Sequence, residues 1–211
     1  MGVLNAVFPS IPVCVVCGVE KGVVSHLCPV CSGVMERLEA GYVKALALDA
    51  YSCYRYEGAA ADIIKAYKYG GARWMSAFIA KMIMHTVCDS RISWDIICNV
   101  PLHEKKRKSR GFDQSELIAV RLSEYTGKPY HNALRRTRNT PSQTRLDWRQ
   151  RRENMEGAFE AEAAEGNVLL IDDVLTTGAT VAECAQTLAR SGAGSVTVAT
   201  FAHAETVIDS R

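Results

Sequence analysis

The chain has 211 residues, of which 48% are hydrophobic and 23% charged. That is the balance of a soluble globular protein and excludes general disorder, collagen, a coiled coil and a disulfide miniprotein. The net charge of +2 conceals a split: His103 to Arg152 holds 14 Lys/Arg against 5 Asp/Glu, a local +9, and the remainder is −7. One strongly basic segment in a mildly charged protein points to phosphate-bearing ligands.

Residues 1–19 carry no charged side chain, but Pro9 and Pro12 interrupt them and no basic segment precedes them. They read as neither a signal peptide nor an anchor. No apolar run reaches the roughly 18 residues of a membrane span, so no membrane insertion is expected. The expected location is the cytoplasm, where the eight cysteines would be thiols or metal ligands rather than disulfides. Four of them form the pattern Cys14-x2-Cys17 and Cys28-x2-Cys31. Two such knuckles can close a tetrahedral shell of thiolates around a structural Zn²⁺, with Gly18 supplying a left-handed turn. A disulfide pair or a redox motif is the competing reading, and no βαβ pattern surrounds these cysteines to favour it. His26 is an alternative fourth ligand. Cys53, Cys88, Cys98 and Cys184 have no paired spacing and read as buried small hydrophobes.

Val34 to Leu46 reads as a helix and Leu48 to Tyr56 as a strand. Ala59 to Tyr69 and Trp74 to Val87 have helical periodicity, the first ended by Gly70-Gly71. Asp95 to Val100 is a buried strand, His103 to Phe112 a basic loop, and Asp113 caps a helix to about Tyr125 with Glu116 as its capping-box partner. Arg135 to Arg152 is basic and polar without an apolar period. Asn167 to Ile171 is a strand, Thr180 to Arg190 a helix, and Ser195 to Phe201 a last strand. The alternation predicts an α/β fold with a parallel sheet flanked by helices. Three units are expected: a four-cysteine segment (1–35), a helix-and-strand hood (36–94) and a core (95–211).

The sharpest signal is Val168 to Thr180. Four apolar residues lead to Asp172 and Asp173 at the carboxyl end of a strand, where open α/β sheets bind ligands. Thr176, Thr177, Gly178, Ala179 and Thr180 then run into a helix, whose first N–H groups and dipole suit a phosphate. Acids beside an anion site suit a phosphorylated sugar: phosphate to the N–H groups, hydroxyls or a bound Mg²⁺ to the carboxylates. Ordinary helix capping would account for one threonine but not for two costly acids. No GxxxxGK[ST] is present, which excludes a P-loop ATPase.

This segment resembles the 5-phosphoribosyl 1-diphosphate (PRPP) motif of type I phosphoribosyltransferases. The wider order of features resembles the competence protein F (ComF) family, also described as amidophosphoribosyltransferase-like. These features are the cysteine pairs, Lys68-Tyr69-Gly70, Arg110 to Gln114, Gln143, Arg151 to Asn154, Gly157-Ala158-Phe159 and the PRPP motif. The likeness runs from about Cys14 to Ala202. Asp113 stands where the family commonly has Asn. The resemblance implies a type I phosphoribosyltransferase-like fold with PRPP and Mg²⁺ as ligands. In catalysis, Asp172 and Asp173 would hold the ribose hydroxyls. In binding, Thr176, Thr177, Gly178, Ala179 and Thr180 would hold the 5-phosphate, and Arg110 and Gly111 would lie near the pyrophosphate. Arg135 to Arg152 would correspond to a mobile loop over the diphosphate.

Two functions follow. One is a phosphoribosyltransferase that displaces pyrophosphate from PRPP. The other is a non-catalytic competence accessory working with DNA-uptake machinery, its basic loops binding single-stranded DNA. There Trp148 either stacks on a base or packs on the core. Any single lysine of the basic loops also reads as a solvated face. The acceptor is not legible in the sequence.

Overall fold

In a computed structural model, residues 13–19, 27–36, 39–45, 47–138 and 155–204 are described. The helices are α1 (Pro29–Glu36), α2 (Gly58–Tyr69), α3 (Met75–Asp89), α4 (Glu104–Arg110), α5 (Gln114–Thr126) and α6 (Ala179–Arg190). The strands are β1 (Glu39–Ala45), β2 (Leu48–Arg55), β3 (Ile96–Asn99), β4 (Leu134–Arg136), β5 (Phe159–Ala161), β6 (Gly166–Leu175) and β7 (Ala193–His203). Five strands form one sheet in the order β1-β2-β7-β6-β3. β2, β7, β6 and β3 run parallel, and β1 is an antiparallel edge. β4 and β5 form a separate antiparallel pair. The expected α/β class, a mostly parallel sheet flanked by helices, is borne out.

The sheet is parallel because both faces are covered. Along β6, Leu169 and Ile171 enter one core with Ile63 and Ile64 of α2, Ile79 and Ile83 of α3, and Ile118 and Leu122 of α5. Val168 and Leu170 enter the opposite core with Val181, Cys184 and Leu188 of α6. All four strand residues are at most 1% exposed, so the run reads as continuously apolar rather than alternating. Phe201 of β7 stacks edge-on with Tyr54 and Phe78, tying β2 and α3 to the sheet centre.

Several sequence expectations need correction. The helix expected over Val34 to Leu46 is instead α1, which begins inside the second cysteine pair, followed by β1. Pairing with β2, with Tyr42 opposite Tyr51 and Val43 opposite Ala50, overrides local helix preference there. The basic loop His103 to Phe112 contains α4, capped by His103, whose ring nitrogen accepts from the Lys105 N–H, and ended by Gly111 at φ 80°. None of the α4 residues is buried, so the helix carries no apolar period to read. β6 runs on to Leu175, pairing Asp172 with Thr200, so the two acids lie within the strand rather than after it. The segment expected as a hood, residues 36–94, contributes β1 and β2 to the main sheet. The expectations on Gln143, Trp148 and residues 151–154 lie outside the described residues, as does His26. Among the described residues no helix is long and apolar enough to cross a membrane.

The α4–α5 junction is held by Asp113, which is 4% exposed. One carboxylate oxygen accepts from the Leu102 N–H at 2.7 Å and the other from the Glu116 N–H at 3.2 Å. Asp113 is therefore a helix cap that also ties down the loop after β3. Glu116 does not complete a capping box; its carboxylate meets Arg107 at 3.0 Å instead. Asp113→Ala should lower the unfolding free energy by about 2 kcal/mol, the cap plus one orphaned loop N–H. Asp113→Asn should lose less. Urea denaturation of the two variants checks the order.

Candidate functional site

β6 delivers Asp172 and Asp173 to the carboxyl edge of the sheet, and neighbouring helices reach over to meet them. Lys68, in the last turn of α2, places its ammonium 2.8 Å from Asp173 Oδ1. Ser115, in the first turn of α5, donates its hydroxyl to Asp172 Oδ1 at 2.8 Å, and the Asp173 N–H donates to the same oxygen. Burial, then the neighbouring Asp173 charge, push the Asp172 carboxyl up to about 7, against the pull of Lys68. Asp173 and Asp172 in turn hold the Lys68 ammonium above its ordinary value, although burial opposes this.

These acids open into a cavity of about 680 Å³. Its wall includes Lys68, Lys106, Arg110, Arg136, Ser115, Asp172, Asp173 and Thr180. Burial, then Arg136, Arg110 and Lys68, lower the Lys106 ammonium. Burial likewise lowers Arg136. Four cations crowded against two acids form a cavity suited to a multiply charged anion that also bears hydroxyls.

β6 leads into α6 through Thr176, Thr177 and Gly178, with Gly178 at φ 80° as the N-cap. A left-handed residue here favours glycine. Ala182 N–H bonds back to the Gly178 carbonyl, and the N–H groups before it are the ones a helix leaves without an intrahelical acceptor. The Thr177 hydroxyl is buried with no partner among the described residues.

Opposite this turn, Val100 N–H bonds the Ile171 carbonyl, which docks the start of the β3–α4 loop against β6. Arg110 closes α4, donates to the Gln114 side-chain oxygen, and lies 5.3 Å over the Tyr69 ring. Gly111 is the left-handed cap behind it, and its carbonyl accepts from Arg73 at 2.7 Å. A side chain at Gly111 would come within 2.9 Å of that guanidinium.

Among the residues expected from the sequence, Asp172, Asp173, Thr180 and Arg110 line one cavity. Thr176, Thr177, Gly178 and Ala179 form the adjoining turn, with Ala179 packed into the core. Gly111 supports Arg110 from behind rather than lining the wall. Lys106 and Arg136 belong to the two basic segments expected to meet phosphate, whereas Lys68, Ser115 and Gln114 carry no individual site role in the sequence. Lys68 had a signal, a basic residue just before the Gly70-Gly71 helix stop.

At the other end, the Sγ atoms of Cys14, Cys17, Cys28 and Cys31 all lie within 4.8 Å of one another. Cys17 and Cys28 sulfurs are 3.7 Å apart. A tetrahedral site with bonds of about 2.3 Å has sulfurs about 3.8 Å apart, so the group fits a tetrahedral metal ion. Burial opposes ionisation of Cys14, but N–H groups of Cys17, Cys28 and Val16 pull its thiol down to about 6. Burial, then hydrogen bonding to the other thiols, raises Cys31. Thiols competing for charge in this way favour a cation among them.

No protein-family model matches the chain. It is 43% identical over 107 residues to the DNA utilization protein YhgH of Escherichia coli O157:H7. That match covers 49% of this chain and 47% of the relative, so the chain spans about half the length of the curated relative it matches. It is 27% identical over 147 residues to competence protein F of Haemophilus influenzae, covering 64% of each. It is 28% identical over 202 residues to competence protein ComFC of Bacillus subtilis, covering 87% of this chain and 80% of that one. Similar solved structures include the glutamine PRPP amidotransferase of B. subtilis, at TM-score 0.41 and 22% identity over 62% of this chain and 26% of that one. Another is the adenine phosphoribosyltransferase of Thermoanaerobacter pseudethanolicus, at TM-score 0.41 and 12% identity over 82% of this chain and 99% of that one. The resemblance drawn from the cysteine pairs, the Arg110 to Gln114 motif and the acidic strand end is thus borne out: the chain is a homologue of the proteins named competence protein F, ComFC and YhgH.

Proposed function

We propose that the cavity at the end of β6 binds PRPP with Mg²⁺, and that the protein transfers the phosphoribosyl group with release of pyrophosphate in the cytoplasm. The observation that carries this reading is the meeting of an adjacent acid pair, one of them buried, with four cations and a helix-opening turn around one cavity. A simple phosphate site would have no use for the acids, and a sugar site none for the cations.

In this reading Asp172 and Asp173 accept hydrogen bonds from the ribose hydroxyls. Thr180, the Thr177 hydroxyl and the first N–H groups of α6 donate to the 5-phosphate. Arg110 and Lys106 hold the diphosphate. The bond from the sugar's C1 to the diphosphate oxygen breaks, its electron pair leaves with pyrophosphate, and an acceptor lone pair forms the new bond. The cations stabilise charge gathering on the leaving group, and the acids face the positive charge developing on the sugar. Asp172 and Asp173 are hard oxygen donors, each engaged already on one oxygen. They form a partial shell, which suits an Mg²⁺ ion that keeps waters and phosphate oxygens. Bound Mg²⁺ would supply further neutralisation of the diphosphate. The four thiolates would hold structural Zn²⁺, whose closed shell leaves no catalytic position.

The names of the relatives favour a second reading, a competence or DNA-use accessory that binds single-stranded DNA. Its surface would be the exposed Lys105, Arg107 and Lys108 of α4.

PRPP with Mg²⁺ at a hundredfold excess over Kd should raise the melting temperature by roughly 5–10 °C. Asp172→Asn combined with Asp173→Asn should remove that shift and leave a cooperative melt. A double variant that responds as the parent does contradicts the assigned roles. A parent unmoved by PRPP but binding oligo-dT with salt-steep affinity selects the second reading. Metal analysis of reduced protein should find one zinc per chain. Cys28→Ser should lose it and much of the stability, since structural zinc contributes on the order of 10 kcal/mol of apparent binding free energy.

A further inference from the structure

Gln114 opens α5, is 1% exposed, and contributes to the cavity wall. Its side-chain oxygen accepts from Arg110 Nη1, and its carbonyl accepts from the buried Tyr67 hydroxyl at 2.9 Å. Burial, then the charges of Asp173 and Asp113, raise the Tyr67 phenol, so it stays a donor. The other half of the amide is different. Nε2 is buried and has no partner among the described residues.

A dry donor without an acceptor is costly, and folded proteins keep few. Exchanging the amide's oxygen and nitrogen does not remove the problem. It would set the NH₂ against a guanidinium, which has no acceptor. The orphan is therefore a consequence of using Oε1 to hold Arg110. Arg110 in turn has one N–H on Gln114 and its face on Tyr69, which leaves further donors for a ligand. Two donor groups thus stand side by side on a cavity wall where Lys68 and Lys106 add positive charge. A partner matched to this pair carries acceptors and no hydrogens. That describes the non-bridging oxygens of a diphosphate better than a sugar hydroxyl, which the acids across the cavity suit.

We propose that Gln114 reads the diphosphate: Oε1 keeps Arg110 at the cavity wall, and Nε2 donates to a non-bridging oxygen of the group Arg110 holds. Nε2 is covered in the free protein. Because Oε1 and Nε2 turn together about the last side-chain torsion, the donation requires the wall that covers Nε2, rather than the amide, to give way to the ligand. The assignment rests on the phosphoribosyl reading of the cavity and adds to it the residue that distinguishes a diphosphate from a monophosphate.

The test is calorimetric titration of the full chain with inorganic pyrophosphate, PRPP and ribose 5-phosphate, for the parent, Gln114→Met and Gln114→Glu. Gln114→Met removes the donor without adding charge. Gln114→Glu keeps an acceptor for Arg110, so it covers the case in which the methionine variant fails to fold. Both variants should bind pyrophosphate and PRPP about tenfold or more weaker, as expected for one hydrogen bond to a charged group. Ribose 5-phosphate should stay within about twofold of the parent, and the ligand-free melting temperature should not fall in Gln114→Glu. Unchanged pyrophosphate affinity in both variants overturns the role of Gln114 while leaving the cavity's function intact. An equal loss for ribose 5-phosphate overturns it too, by showing a general packing defect. A parent that binds neither pyrophosphate nor PRPP overturns the phosphoribosyl reading and this inference together.

Discussion

Asp172 and Asp173 lie near the carboxyl end of a strand, after four residues all but sealed from solvent, and placing two adjacent carboxylates there is the constraint that organises the site. Neither acid is affordable alone in such a position. Lys68 neutralises one, and Ser115 with a main-chain N–H satisfies the other. Because Lys68 comes from α2 and Ser115 from α5, the acids meet the end of one helix and the start of the other. Lys68 is the cation that touches the pair, and burial with the neighbouring Asp173 charge holds the Asp172 carboxyl up to about 7. A hydroxyl-bearing ligand would add hydrogen-bond donors to the two acids.

The same helices then carry the cationic side of the cavity. The Tyr67 hydroxyl sits one residue before Lys68 and bonds the first residue of α5, which ties the end of α2 to the start of α5. Asp113 ties the loop after β3 to the start of α5. Arg110 and Lys106 are thereby carried on a short helix with no buried residue, which packing alone would not fix. Polar bonds to buried partners, rather than a hydrophobic face, position the residues that would meet a phosphate. The four-cysteine unit lies apart from this chemistry but shares the core: Cys14, Cys28 and Cys31 are buried with residues of α2 and α3.

Much of this was legible in the sequence, for identifiable reasons. β6, β7, α2, α3 and α5 carry enough apolar residues for their periods to show, and Asp113 announced the start of α5. The cysteine spacing specified its cluster because two-residue knuckles have few geometries. β1 was not legible, since it is an edge strand whose identity comes from pairing with β2 rather than from its own propensity. α4 was hidden because a helix with no buried residue has no period. The partnership of Lys68 with Asp173 joins positions 105 residues apart and has no local signature. Gln114 looked like a motif letter, and only the missing partner of its amide gives it a role.

The central claim is that burial and the adjacent Asp173 charge hold the Asp172 carboxyl up in the free protein. Carboxyl carbon NMR titration of the aspartates reads this directly. One carboxyl, assigned to Asp172 by its absence from Asp172→Asn, should titrate near 7, because burial and Asp173 favour its protonated form. A raised carboxyl makes the fold more stable below that midpoint, with the contribution lost as pH rises from about 4 through it. Aspartates that all titrate below about 5, in the ordinary carboxylate range, would contradict the account.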